Sequence, residues 1–248
     1  MSIEGLQNLT EGFYTITGKT DGFGAQYLAI MSGIAHCKRH NLIYVHTPFS
    51  SIEHDVDVDL LNNFIGVHNH FLLENGLMPT ETDHVERQAF SESVIWCHQP
   101  SIYYTEEVLS IIRGFYYSTP KPSVDELDIA VHIRRGDVAE DNCRYTDNNF
   151  YVNLFQALKQ KYPDYSITVF SEGKYEDFKE LGLDESHYKL NADVCESYHS
   201  LVRAKVLVTS KSAFSYTCGL LNENTVYYVD FWHKPLDHWL AVESLFVN

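Results

Sequence analysis

The chain has 248 residues and 28.6 kDa, enough for one large domain or two smaller lobes. A content of 44% hydrophobic and 14% aromatic residues supports a sizeable core and excludes a disordered polymer. A formal net charge of −16 excludes a general nucleic-acid binder, which needs a basic face, but leaves room for a small anion held by a few aimed cations.

Five cysteines (Cys37, Cys97, Cys143, Cys195 and Cys218) are widely spread with no CxxC pair. That reads as buried thiols in a reducing compartment rather than a disulfide framework or a zinc knuckle. The start, MSIEGLQNLTEGFYTITGK, lacks a basic region followed by an apolar one, and no run of 18 apolar residues occurs. The expectation is a soluble, cytoplasmic protein with no transmembrane anchor. The stretch HTPFSSIEHDVDVD (46–59) is rich in histidine and aspartate, but Asp55, Asp57 and Asp59 alternate with valines as an exposed strand or loop would. No metal site is expected.

In chain order, EGFYTITGK (11–19) predicts a first strand and TDGFG (20–24) a tight glycine turn. Residues 25–39 predict a helix with Tyr27, Ile30, Met31 and Ile34 on one stripe, and LIYVHTP (42–48) a second strand. This is the start of a parallel βαβ unit. DLLNNFIG and TEEVLSIIRGFYY predict helices, the second capped by Thr105, and SVIWCH (93–98) a buried strand. STPKPS (118–123) carries two prolines and predicts a linker, dividing the chain into lobes 1–120 and 121–248. After it, strands at 127–133, 166–171, 205–210 and 225–230 alternate with helices at 148–162, 174–181, 192–204 and 213–221. The fold class is α/β with mostly parallel sheets covered on both faces.

In open α/β sheets, ligands bind at the carboxyl ends of strands. Three polar clusters fall at such places. The first, HIRRGD, places His132, Arg134, Arg135, Gly136 and Asp137 after an apolar strand. Arginine forks suit phosphate oxygens, His132 suits a base or a diphosphate, and Asp137 suits the orienting of an arginine. The alternative is a solvated charge cluster, or a chance RGD adhesion tripeptide. Arg144 adds a third cation just beyond, unless it merely sits in a loop beside a helix cap. The second cluster, TSKSAFSYT (209–217), offers Ser210, Ser212, Phe214 and Ser215 at a helix start, where an anion site competes with ordinary capping by Ser212. The third, DGFGAQ (21–26), offers Gly22 and Gly24 as a phosphate cradle without the GxGxxG or GKT fingerprints.

Taken together, HxRRGD, SxSAFSY and GFGAQ resemble the GDP-fucose-dependent fucosyltransferase superfamily, and within it the α-1,2-fucosyltransferases of glycosyltransferase family 11. Those proteins carry a GGLGNQ-like turn, HIRRGDY and SNSTFSWW in the same order. The resemblance implies a two-lobed GT-B-like fold with Rossmann-type lobes, the first on the acceptor side and the second binding the donor. It implies an inverting, metal-independent transfer of fucose from GDP-fucose, a donor substrate and not a cofactor, to a glycan hydroxyl. By the same resemblance His132 and Arg134 sit on GDP, with Arg134 neutralising the departing phosphate and Arg135 and Asp137 shaping the site. Ser212, Phe214 and Ser215 match the serine-rich turn against the diphosphate, and Glu196, in CESYHSLVRA, is the choice for guanine or ribose. Ala25 stands where the family has asparagine, Val138 where an aromatic follows RRGD, and FSYT replaces FSWW. Asp21, His46, His54 and Glu140 are the candidate bases, and the sequence does not choose among them. Two alternatives remain: a module that holds a nucleotide sugar or glycan without turnover, and the same fold acting on another nucleotide sugar. FWHKPLDHW (231–239) is the stretch for acceptor contacts or a subunit interface, and the oligomeric state is not legible.

Overall fold

A computed structural model describes residues 12–53, 57–67, 84–90 and 99–247. The expected strand at 93–98 and the residues His54 and Asp55 lie outside them. The chain divides into two units, Met1–Pro120 and Lys121–Asn248.

The first unit holds β1 (Phe13–Thr17), α1 (Phe23–His40), β2 (Ile43–Tyr44), α2 (Val58–Ile65), β3 (Val85–Ala89), the four-residue α3 (Pro100–Tyr103) and α4 (Glu106–Tyr117). The order β2-β1-β3 is parallel throughout. β1 is built of aromatic and β-branched residues, with Tyr14 and Ile16 fully buried. Most of α1 is buried, and Asn41 ends it in the left-handed conformation, its N–H on Cys37 O, with Lys38, Arg39 and His40 in the last turn where the dipole favours cations. Thr105 caps α4 as expected, accepting from Val108 N. Two expectations fail here. Asp57 is an exposed, extended residue as expected, but its carboxylate caps α2, and Asp59 sits in that helix's first turn rather than on a strand or loop. Gly22 and Gly24 do not form a glycine turn. α1 begins two residues earlier than the expected start at 25, so Gly22 is an extended N-cap and Gly24 is a buried residue of the first helical turn.

The second unit holds β4 (Ile129–His132), α5 (Asn148–Lys161), β5 (Ile167–Ser171), β6 (Tyr188–Leu190), α6 (Val194–Arg203), β7 (Val206–Val208), α7 (Ala213–Leu221), β8 (Thr225–Tyr228) and β9 (Leu240–Ala241). The expected short helix at 174–181 is a 3-10 helix, Tyr175–Leu181. The sheet order is β6-β5-β4-β7-β8-β9, with every pairing parallel. The chain therefore steps outward from β4 to β6, returns across β4 and steps outward again through β7, β8 and β9. That is the order of the doubly wound sheet, and it places a topological switch between β4 and β7. Ile129, Val131, Val169, Val206 and Val208 form one continuous core with Tyr151, Leu154, Phe155 and Leu158 of α5. Asn222, 2% exposed, donates to Leu201 O and Ala204 O, so one buried amide satisfies carbonyls at the end of α6. Parallel sheets in both units give the α/β plan of Rossmann-type lobes expected from the sequence.

Candidate functional site

Val131 pairs with Val169 on one side and Val208 on the other, so β4, β5 and β7 finish at one level. Their carboxyl ends carry His132, Ser171 followed by Glu172, and Thr209 followed by Ser210. Across the switch, the Ser210 hydroxyl lies 2.7 Å from His132 Nδ1, although 78 residues separate them in sequence. His132 is 8% exposed and Ser210 3%. Ser215 Oγ accepts the Ser210 N–H at 3.0 Å and donates to Ser212 O at 3.4 Å. The imidazole also lies against the Phe214 ring at 5.4 Å, and Phe214 meets Tyr198 of α6 edge-on at 5.3 Å. Burial, aided by the Arg134 charge, lowers the His132 pKa to about 3, so the ring is neutral at pH 7.

Arg134 follows on the same side of the extended chain. One of its terminal nitrogens pairs with Asp137 and the other approaches Glu172 Oε2 at 3.4 Å. Arg144 reaches the second oxygen of Asp137 at 3.7 Å. The result is an alternating chain of charges, Glu172–Arg134–Asp137–Arg144, along the strand ends. Gly136 permits it, because φ is +78° and a Cβ there would stand 2.2 Å from Glu172 Oε2. The backbone on either side of Glu172 is held firmly. Ser171 Oγ donates to Ile133 O at 2.8 Å, and the Asn191 amide brackets Gly173 by accepting from its N–H and donating to its carbonyl.

Arg135 does something different from what the sequence suggests. Its guanidinium donates to Arg134 O, Thr146 O and Asn148 Oδ1, and its carbon lies 4.2 Å from the centre of the Tyr145 ring. Asn148 in turn donates to Asp177 O and Glu180 Oε1. With three of its five N–H donors and a ring face given to the loop 134–148, Arg135 is a peg of that loop.

Ser212 caps α7 through Phe214 N, so the ordinary capping role holds for that hydroxyl. Glu196 is exposed in the first turn of α6, whose cap is Asp193. Gly22 and Gly24 belong to the first unit, where the Gly22 N–H is already taken by Asp21 Oδ1 at 2.6 Å. His46 follows β2 in that unit, tilted against the Tyr44 ring. Glu140 is exposed in the loop after β4. Within 231–239, Trp239 packs on Tyr216 and Tyr228, while Trp232, stacked on Phe231, is 48% exposed. Sequence reasoning missed Glu172, Tyr198 and Asn148. Glu172 had a usable signal, since it directly follows an apolar strand just as His132 ends one. Among the described residues no group of three or more His, Cys, Asp or Glu is arranged to hold a metal ion. Also among them, no helix is long and apolar enough to cross a membrane.

The second unit thus has the strand order of a doubly wound sheet, with a charged, hydroxyl-rich cluster at its switch point. No protein-family model and no curated protein matches the sequence. Among solved structures, a mutant of Arabidopsis thaliana FUT1 in complex with GDP is 11% identical, covering 97% of this chain and 76% of its own, at a TM-score of 0.43. POFUT1 in complex with GDP is 12% identical over 91% of this chain and 99% of its own, at 0.45. The Escherichia coli heptosyltransferase WaaC with ADP-2-deoxy-2-fluoro heptose is 11% identical over 87% and 63%, at 0.35.

Proposed function

We propose that the chain is an inverting, metal-independent glycosyltransferase that moves fucose from GDP-fucose to a glycan hydroxyl. The observation that supports this most is the meeting of His132 and Ser210 across the β4–β7 switch, with Arg134 beside them. That is where a doubly wound sheet binds a nucleotide, and the residues there are those the sequence resemblance puts on the donor.

Transfer from a nucleoside diphosphate sugar passes through a state in which positive charge grows on the sugar and negative charge on the departing phosphate. Arg134 is the group that meets the second of these. It is 18% exposed, so its charge acts in a partly dry setting, and a positioned donor of this kind is worth about 3 kcal/mol of barrier. An incoming diphosphate takes the Arg134 donor now facing Glu172, because that carboxylate is 44% exposed and returns to water at little cost. Asp137 stays on Arg134 and keeps the guanidinium aimed. His132, neutral and fixed by Ser210, contributes a hydrogen bond rather than a charge. Arg135 acts through the loop that carries Asp137 and Arg144.

The test is release of GDP from GDP-fucose in the presence of EDTA and an array of oligosaccharide acceptors, followed by determination of the anomeric configuration of the product. Transfer with inversion that survives EDTA supports the reading. Hydrolysis alone, retention of configuration, or an absolute need for a divalent cation contradicts it.

A further inference from the structure

The cation in this site that no reading so far has used is Lys211. It is the central residue of the turn between β7 and α7, flanked by Ser210 at 3% exposure and Ser212 at 8%. Its neighbours are sealed, and it alone of the three reaches outward, to partial exposure. Its ammonium is turned toward the loop that follows β4, donating to Cys143 O at 3.4 Å. Cys143 adjoins Arg144 in that loop. The side chain therefore spans from the β7 side of the switch to the loop that follows β4, next to Arg144.

The electrostatics are unusual for a chain with net charge −16. Arg134 and Arg144 share Asp137, and Arg134 also has Glu172. Lys211 has no carboxylate within ion-pair distance among the described residues, only a carbonyl. It also sits just before the N-terminus of α7, a nine-residue helix whose dipole adds further positive potential. Placing an unneutralised ammonium beside a helix N-terminus costs stability unless an anion comes to it.

We infer that Lys211 is a second phosphate-binding cation of the donor site, taking one side of the nucleoside diphosphate while Arg134 takes the other. The inference rests on the donor-site reading above and adds a selectivity to it. One cation from each side of the switch matches two phosphates better than one. The compact ammonium on a flexible stem can leave the Cys143 carbonyl for a phosphate oxygen without disturbing the fixed fork of Arg134. Lys211 thus sets the preference for a diphosphate over a monophosphate.

The experiment compares GDP and GMP binding by calorimetry for the wild-type chain, Lys211→Met, Lys211→Arg and Arg134→Ala, with melting temperature as the folding control. Loss of one charge-assisted hydrogen bond weakens GDP binding by about tenfold in Lys211→Met. GMP binding changes little, and Lys211→Arg keeps most of the preference. Equal GDP affinity in Lys211→Met and wild type, with Arg134→Ala impaired, overturns the role of Lys211 and leaves the donor site standing. Equal weakening of GDP and GMP also overturns it, since the lysine then reads no particular phosphate. Failure of the wild-type chain to bind any guanine nucleotide sinks the donor-site reading itself, and the two failures are told apart by the wild-type titration alone.

Discussion

Replacing Gly136 by alanine tests whether the charged strand end is built as described. The backbone there has φ of +78°, and holding a non-glycine residue in that region costs about 1 kcal/mol. The new Cβ would also stand 2.2 Å from Glu172 Oε2 and 2.8 Å from its Cδ, closer than atoms can approach. Those atoms end a flexible side chain, so the carboxylate swings aside rather than the backbone moving. In doing so it gives up Arg134, a partly exposed contact at 3.4 Å worth about 1 kcal/mol at most. The total is about 2 kcal/mol of stability, to be read by urea unfolding of Gly136→Ala, Glu172→Ala and the double variant. Because Glu172→Ala removes the obstruction, the double variant should lose about 1 kcal/mol less than the sum of the singles. A Gly136→Ala protein within about 0.5 kcal/mol of wild type, or strict additivity, would refute the packing of Gly136 against Glu172.

Three further predictions follow from the same packing. Arg135→Lys should loosen the loop 134–148, since a lysine cannot replace three directed donors and a ring contact. Limited proteolysis within 137–147 should speed up clearly, and cleavage at the wild-type rate would return Arg135 to the list of ligand contacts. His132 and His199 have folded pKa values lowered by burial to about 3 and about 4, below the 6.5 of the free side chain. The unfolded chain therefore takes up protons first, and stability falls as pH drops from about 6.5 toward these values, by up to about 1.4 kcal/mol per pH unit for each ring. His132→Gln should flatten that acid limb, and an unchanged slope would contradict the burial of the ring. Gly219→Ala places a methyl 2.7 Å from the Trp239 ring. The expected cost is about 1–3 kcal/mol, visible as a lower melting temperature, and a neutral outcome would show that the 231–239 segment does not pack on α7 as described.

The alternation of apolar strands and helices in the second unit was legible because parallel strands buried on both faces read as unbroken apolar runs, as in IAVH and TVYY. Helix α7 was legible to the residue, since Ser212 marks its start and the apolar run ends at Leu221. β3, with the sequence VERQA, was not, because its charged residues are exposed and it carries no apolar signal. The two-residue β9 and three-residue β6 are too short to show a period.

At the site, residue types were legible but their directions were not. Alternate residues of an extended chain point to opposite sides, so His132 and Arg134 share the switch while Arg135 turns toward α5 and the loop. Neighbouring arginines that look equivalent in HIRRGD therefore have different work. Glu172 stayed hidden because its role is set by Arg134, 38 residues away in sequence, through the parallel pairing of β4 with β5.

The most direct measurement is a calorimetric titration of the full chain with GDP, UDP and CMP in EDTA-containing buffer, repeated with Arg134→Ala. The account predicts that GDP alone binds, and that the single substitution weakens it by at least tenfold, the equivalent of about 1.4 kcal/mol. Binding of UDP in place of GDP would contradict the choice of donor. Undiminished GDP binding by Arg134→Ala would contradict the site at the β4–β7 switch.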